Sequence, residues 1–186
     1  MSGGNGFRVV NLFTEDHAAL TGAREVVIAS ALRPEKSWNG NLNYTGFISH
    51  RKGYIGIDAS AFYTRFTNKI VGDFKTDPAK IIYDNLRGYA VSKGLTLNTD
   101  ISFVNGLKFI LGATYMDVYQ MNKDKNGVET KVPQLFAPKF SANFAVSYTV
   151  TKYDLAFDLT GKINGPMQLP VVPNDFRPEK SPLYSI

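Results

Sequence analysis

Residues 89–103 read YAVSKGLTLNTDISF, and their alternation decides the fold class of the chain. The odd positions are mostly apolar or aromatic, and the even positions are small or polar. Successive side chains of a β-strand point to opposite faces, so this pattern predicts a strand with one apolar face and one polar face. We therefore expect one face to contact an apolar medium and the other to contact water.

Five further segments repeat this alternation. They are residues 38–48, 55–63, 107–115, 140–150 and 153–163. The six predicted strands have about 11 to 15 residues each, roughly twice the usual length in a globular protein. A strand that is tilted across a bilayer needs about 9 to 11 residues within the hydrocarbon. The strand length therefore fits a membrane-spanning wall.

The predicted connections alternate between short and long. Short connections are residues 50–53, 104–106 and 151–152, and long ones are residues 67–88, 121–138 and 164 onward. Outer-membrane barrels have this asymmetry, and the Asn105–Gly106 pair is expected to supply the positive φ angles of a tight hairpin. We predict an all-β chain, an antiparallel up-and-down meander of about six long strands that forms a partial transmembrane β-barrel wall.

Aromatic residues mark both ends of the predicted apolar faces. Those near the long connections are Tyr63, Tyr89, Tyr115 and Phe140, and those near the short turns are Phe103, Tyr148 and Tyr153. Membrane interfaces select two aromatic belts of this kind, although Tyr and Phe also favour strands in general. The belts orient the odd positions of 91–103 toward lipid and the even positions of 92–102 toward a barrel lumen.

Composition excludes several classes of protein. The 186 residues include no Cys, so disulfides and Cys-ligated zinc are excluded, and no apolar run approaches the length of a transmembrane helix. The net charge is +5, but the basic residues are scattered and alternate with acidic ones. A phosphate-binding surface would cluster them, so we predict no nucleic-acid partner.

The sequence predicts no catalytic, cofactor or metal site. His17 and His50 lie in separate loops with no shared motif. Residues 122–127 resemble the opening of a calcium loop, but its twelfth position is Pro133 where a bidentate Glu is needed. No phosphate loop, nucleophile elbow or dinucleotide fingerprint is found, so we predict that the chain is not an enzyme.

The two ends of the chain depart from the strand pattern. Residues 1–30 are predicted to be a loop segment at the long-loop end, with a short helix over residues 14–20 that Thr14 caps. The sequence RPEKS occurs at 33–37 and again at 177–181, each time before a strand-like segment. The second copy predicts that a seventh strand begins at Leu183. Residues 31–186 are therefore assigned to the partial barrel.

Four segments resemble the barrel domain of TonB-dependent outer-membrane receptors. They are GFRVVNLFTEDHAALTG at 6–22, LRPEKSWN at 32–39, FYTRFTNKI at 62–70 and the stretch 85–94. The resemblance implies a 22-stranded barrel in the outer membrane of Gram-negative bacteria, a plug domain, and energised import of a scarce solute such as a ferric siderophore or cobalamin. Six or seven strands cannot close that barrel, so we expect an internal fragment of its C-terminal part.

The resemblance also implies the partners of the intact protein. They are outer-membrane lipid and lipopolysaccharide, a small-molecule substrate, and TonB, which it would contact only through a plug domain that this chain lacks. The alternative is a soluble, lipocalin-like β-barrel that binds a small ligand and turns its apolar face inward. Solubility without detergent distinguishes the two.

Substrates of such a receptor arrive from outside, so residues in the long connections are the candidate ligand contacts. Aromatic, thioether and amide groups suited to a polar chelate or cofactor are Tyr83, Asn85, Tyr119, Gln120, Gln134, Met167 and Gln168. The basic residues of these connections favour an anionic ligand or the lipopolysaccharide surface.

Overall fold

Strands make up most of the structure, a computed structural model. It describes residues 1–9, 25–28, 32–73, 76–77, 80–124, 126–169, 176, 178–182 and 184–185. The helical structure in this part of the chain is a 3-10 turn at Thr151–Tyr153, and no helix there is long and apolar enough to cross a membrane. The helix predicted over residues 14–20 lies outside the described residues.

The described residues form a long antiparallel sheet and a small three-stranded sheet. The strands are β1 (Ser2–Arg8), β2 (Glu25–Ile28), β3 (Glu35–His50), β4 (Gly53–Thr67), β5 (Ile70–Asp73), β6 (Lys80–Asn85), β7 (Gly88–Phe103), β8 (Leu107–Lys123), β9 (Glu129–Pro133), β10 (Phe140–Val150), β11 (Leu155–Asn164) and β12 (Tyr184–Ser185). The main sheet has the order β1-β3-β4-β7-β8-β10-β11-β12, and β9 pairs with β8. The predicted all-β meander of six long strands, β3, β4, β7, β8, β10 and β11, is confirmed. Among the residues described, the sheet does not close into a barrel.

The register of the long strands is continuous, so alternate residues keep to one face across the whole sheet. One row of paired residues is Leu42, Ala61, Leu95, Tyr115 and Phe140. The next row is Asn43, Ser60, Thr96, Thr114 and Ser141. Because odd and even rows alternate in this way, the sheet has an apolar face and a polar face.

Most aromatic residues of the apolar face lie toward its two ends, although Tyr44 and Phe144 lie in its middle rows. Phe103, Tyr148 and Phe157 share one alignment at the short-turn end, where Tyr148 pairs with Phe157. Tyr63 pairs with Lys93, ten positions from Phe103 along β7. Ten residues span about 34 Å along a strand, and a tilt of about 40° reduces this to about 26 Å. The outward apolar band of outer-membrane barrels is about 25 Å tall.

The structure differs from the predicted loop at residues 1–30 in two places. Ser2–Arg8 is an edge strand that pairs with β3, and Glu25–Ile28 pairs in parallel with β6. The free edge of β3 offers unpaired main-chain groups, so a Gly-rich stretch without an alternating pattern can still be held there as a strand. Residues 10–24 lie outside the described part of the chain.

The β7–β8 turn differs in one detail from the sequence prediction. Gly106 has a φ of 86°, but Asn105 is not among the residues with positive φ. The turn is a three-residue loop, in which a glycine in the left-handed region is typical. The Asn105 side chain has another role, because its Oδ1 accepts a hydrogen bond from the Leu107 N–H at 3.3 Å.

The predicted long connections contain additional strands at one end of the sheet. The β5–β6 hairpin joins β4 to β7, and β9 folds back on β8 so that Lys123 pairs with Glu129. The most buried apolar side chains of the described residues are Ile70, Ile81, Leu86, Ala90 and Val91, which also lie at this end. At the chain terminus, β12 pairs with the end of β11, where the seventh strand was predicted. We call this end of the sheet the loop end.

Candidate functional site

The polar face carries a series of side-chain hydrogen bonds across neighbouring strands. Asp58 Oδ2 on β4 accepts from Asn43 Nδ2 at 3.3 Å and from Thr45 Oγ1 at 3.1 Å on β3. Asp100 Oδ2 on β7 forms an ion pair with Lys108 Nζ on β8 at 3.4 Å. Acceptors and donors therefore alternate along this face, which suits contact with water or a polar solute.

On the polar face, side chains of neighbouring strands converge over Gly112. A Cβ atom added to Gly112 would lie 2.5 Å from Asn143 Oδ1 and 3.0 Å from Asn98 Oδ1. On the apolar face, by contrast, the side chains of Leu42 and Leu95 are 59% and 61% exposed. Convergence of side chains is the property of the concave side of a curved sheet, so the polar face has the character of a barrel interior.

A lysine and two glutamines meet at the loop end of the polar face. Lys69 Nζ donates to Gln134 Oε1 at 2.8 Å, and Gln120 Nε2 donates to the same oxygen at 3.1 Å. We call Lys69, Gln120 and Gln134 the amide–lysine cluster. Gln120 shares its face with the polar row because it pairs with Ala90, an even position of β7.

Local backbone structure and burial set the properties of Lys69. Asn68 follows β4 in the left-handed region, with a φ of 55°, and turns the chain into β5. Burial lowers the pKa of Lys69 below its usual value of 10.5, Glu35 partly opposes this change, and Arg8 adds to it. The cluster therefore presents a partly desolvated cation whose interaction with an anion is less screened than in water.

Glu35 fixes the strand beside the cluster. Its Oε1 accepts a hydrogen bond from the Ile70 N–H at 2.7 Å, and its Oε2 pairs with Arg8 Nε at 2.9 Å. Its side chain is only 13% exposed. The contacts of Glu35 hold the first residue of β5 and the edge strand β1 in place around Lys69.

Asn85 connects three parts of the backbone at the loop end. Its Oδ1 accepts from the Arg33 N–H at 2.7 Å, and its Nδ2 donates to the carbonyl oxygens of Arg33 at 3.0 Å and Asn68 at 2.7 Å. Both polar atoms of this predicted ligand contact are thus engaged with main chain. Its observed contacts are those of a structural clamp.

Tyr119 lies on the opposite face from Gln120. Lys131 Nζ is 4.0 Å and Lys93 Nζ is 6.0 Å from the centre of its ring. A hydrogen bond of 2.8 Å from Lys131 Nζ to Asp117 Oδ2 raises the pKa of Lys131. Tyr119 therefore belongs to the apolar side of the sheet, beyond its aliphatic part.

The remaining predicted contacts lie in separate parts of the loop end. Tyr83 is in β6, between Ile28 of β2 and Gly72 of β5. The main-chain carbonyl of Gln168 accepts from the Phe136 N–H at 2.9 Å, and the Met167 N–H donates to Ser181 Oγ at 3.1 Å. Of the seven predicted residues, the structure joins Gln120 and Gln134 by a side-chain hydrogen bond. Lys69, which the sequence marked only as one basic loop residue, completes that group.

A second feature of the loop end is a cavity of about 290 Å³ beside β5 and β6. Its lining includes the carboxylates of Asp73 and Asp84 and the cationic side chains of Arg87 and Lys123. Charges of both signs line it, so it has no clear preference for an anion or a cation. Among the described residues, no group of three or more His, Cys, Asp or Glu side chains could hold a metal ion.

Comparisons with known proteins agree with the architecture. Two similar solved structures are of the FrpB iron transporter from Neisseria meningitidis, the F3-3 variant and the apoprotein form of the F5-1 variant. Both have a TM-score of 0.60, with sequence identities of 12% and 11%. They match 86% and 87% of this chain, which spans 24% of the length of each. No curated protein matches the chain.

The sequence itself matches a family model over most of its length. The model is described as "TonB dependent receptor-like, beta-barrel", and the match covers residues 2–175. It includes all six long strands and the loop end between them. The chain therefore belongs to the TonB-dependent receptor β-barrel family.

Proposed function

We propose that this chain is a wall segment of a transporter in the outer membrane of a Gram-negative bacterium, and that the intact protein imports a scarce solute. The observation that carries the proposal is the division of one continuous sheet into a polar and an apolar face. The apolar band between the aromatic rows has about the height of the hydrocarbon of an outer membrane. In this arrangement the apolar face contacts lipid and the polar face lines the lumen.

The solute class that we propose is an anionic metal chelate or a similarly polar cofactor, such as a ferric siderophore or cobalamin. The amide–lysine cluster supports this class, since it offers amide groups and a partly buried cation near the polar face. The two similar structures from Neisseria meningitidis are of a protein named as an iron transporter, which is consistent with this solute class. The other candidate contacts are Tyr83, Asn85, Tyr119, Met167 and Gln168. TonB would act on the intact protein through a plug domain.

A soluble, lipocalin-like barrel is not supported. Such a barrel encloses its apolar face, whereas here large side chains of the apolar face are exposed. Leu159 of β11, for example, is 64% exposed. A protein of that class would also need a closed sheet, and in the described part of the chain this sheet ends at β1 and β12.

The proposal is tested by solute binding and uptake in the intact receptor. We expect the double change Gln120→Ala and Gln134→Ala to weaken binding of the transported ferric chelate or cobalamin by at least about tenfold, since the loss of even one hydrogen bond with a charged partner costs about 1.5–3 kcal/mol. The matched control is Ser49→Ala and Ser147→Ala, which removes polar groups near the short-turn end. Equal affinity in both variants and the unaltered receptor would refute a role of the cluster.

A deletion tests the contribution of the loop end as a whole. Residues 123–130 form the tip of the β8–β9 hairpin, where Lys123 pairs with Glu129. We expect their removal from the intact receptor to slow uptake and lower affinity, because the hairpin positions Gln134 beside Gln120. Unchanged affinity and unchanged rate would mean that this hairpin only covers the barrel mouth.

A further inference from the structure

The apolar face contains a groove that extends from its middle toward the loop end. The groove has a volume of about 480 Å³. It exists because Ala59 and Ala61 of β4 are small, while the strands on either side carry larger residues at the aligned positions. Its apolar lining also includes Leu42, Tyr44, Leu95, Leu97, Tyr115 and Phe140. A groove of this size could take an extended hydrocarbon chain along the sheet surface.

Cationic side chains lie directly beyond this groove on the same face. Lys93 is two residues from Leu95 on β7, and Arg65 is four residues from Ala61 on β4. Even separations along a strand keep side chains on one face, and the rise per residue places these Cα atoms about 7 Å and about 13 Å from the groove residues. The apolar groove therefore continues into a positively charged surface.

The cations of this surface converge on aromatic rings. The Arg65 guanidinium carbon is 4.4 Å from the centre of the Tyr89 ring, and Lys93 and Lys131 both approach Tyr119. Lys131 is paired with Asp117 at 2.8 Å. In the described part of the chain, Arg65 and Lys93 form no ion pair. Lys93 pairs in register with Asp117, whose carboxylate is already bound by Lys131. The three cations Arg65, Lys93 and Lys131 therefore outnumber this one carboxylate, at a height where the proposed orientation places lipid headgroups.

We propose that this face binds one phosphorylated glycolipid of the outer leaflet, with an acyl chain in the groove and a headgroup phosphate between Arg65 and Lys93. The orientation rests on the proposed function, whereas the juxtaposition of groove and cations rests on the sheet register alone. Charge complementarity selects an anionic headgroup, and continuity with the apolar band selects a membrane lipid. A free phosphate would use the cations but not the groove.

The first test measures lipid binding to the purified intact receptor by native mass spectrometry in detergent. The probe is the lipid A portion of lipopolysaccharide, and phosphatidylcholine is the neutral comparison. We expect the double change Arg65→Gln and Lys93→Gln to weaken lipid A binding by about tenfold. The matched control is Arg51→Gln and Lys52→Gln, which removes the same charges from the β3–β4 turn and should leave binding unchanged. Equal loss in both double variants, or none in either, would overturn the proposal.

The second test fills the groove without changing any charge. Ala61→Leu should weaken lipid A binding, whereas Thr99→Leu, on the same face outside the groove, should not. If Ala61→Leu has no effect while inorganic phosphate displaces the lipid, the cations form a site for free phosphate and the proposal is wrong. Binding of phosphatidylcholine as tight as that of lipid A would also overturn it.

These lipid measurements are independent of transport. Lys93→Arg keeps the positive charge and should bind lipid A as tightly as the unaltered receptor. This result would show that weaker binding in Arg65→Gln and Lys93→Gln comes from the lost headgroup contact and not from misfolding. Solute affinity is measured on the same variants. If the unaltered receptor binds lipid A but neither binds nor takes up a solute, the proposed function is wrong while this lipid site stands.

Discussion

At the scale of single residues, the two faces of β7 differ most sharply at adjacent positions. Leu97 lies on the apolar face and is 49% exposed, while Asn98 lies on the polar face opposite Asp58. In the intact receptor we expect Leu97→Arg to lower the free energy of unfolding by about 2–4 kcal/mol, because it places a charge near the bilayer midplane. Asn98→Arg should cost far less. Equal costs, measured by denaturant unfolding in lipid vesicles, would contradict the assignment of the faces.

Lys69 gives a prediction about pH. Its pKa in the folded state is lowered from 10.5, chiefly by burial, so folding disfavours its charged form. Below the lowered pKa, Lys69 is charged in both the folded and the unfolded state, and the free-energy cost of burying its charge is fully present. Between the lowered pKa and 10.5 the unfolded state binds more protons, so this contribution favours folding increasingly as pH rises.

The variant Lys69→Met removes the free-energy cost of burying the lysine charge, and it removes the titrating group itself. We therefore expect the stability advantage of Lys69→Met over the unaltered receptor to shrink as pH rises toward 10.5. Lys69→Arg serves as the control. Arginine keeps its charge over this pH range, so the stability advantage of Lys69→Met over Lys69→Arg should not shrink as pH rises. Denaturant unfolding at a series of alkaline pH values measures both. An advantage of Lys69→Met that stays constant with pH would contradict the expected burial effect.

At the scale of elements, the β7–β8 hairpin depends on Gly106. Gly106 and Gly127 have similar φ angles, 86° and 82°. A Cβ atom at Gly106 would lie 2.4 Å from the Thr149 carbonyl oxygen, but one at Gly127 would meet nothing within 4 Å. Both Gly→Ala changes carry the backbone cost of about 1–2 kcal/mol, and only Gly106→Ala adds a clash. We expect Gly106→Ala to be clearly the more destabilising of the two in thermal unfolding of the intact receptor. A larger effect of Gly127→Ala would contradict this turn geometry.

The six long strands were predictable because membrane and lumen impose a period of two on them. The short strands were not, since Ile81, Ile82 and Tyr83 of β6 are consecutive apolar residues and β1 is rich in glycine. These strands are held by neighbours, such as the contacts of Asn85 with Arg33 and Asn68, and not by their own pattern.

The candidate site was predictable only in part, for a related reason. Gln120 and Gln134 were identified from their chemistry and their position in long connections. Their hydrogen bond depends on β9 folding back along β8, and no local pattern shows that reversal. Lys69 joins them because Asn68 turns the chain in the left-handed region, a conformation that asparagine permits but does not require.

At the scale of the whole molecule, the sheet has an exposed apolar face and two open edges. β1 and β12 each pair on one side only within the described chain. Expressed by itself, the chain should therefore aggregate in aqueous buffer and remain dispersed only in detergent or lipid. Light scattering with and without detergent measures this. A stable monomer in plain buffer would contradict the assignment of the apolar face to lipid.

Trp38 gives the chain an optical property of its own. It is the only tryptophan, it lies on the apolar face opposite Arg65, and it is 59% exposed. Indole emission moves to shorter wavelength as water leaves its surroundings, and tryptophan prefers the membrane interface. When the isolated chain is reconstituted, its fluorescence reports the depth of a single known position. Quenching by lipids brominated at different acyl carbons would then locate the loop end of β3 relative to the bilayer centre.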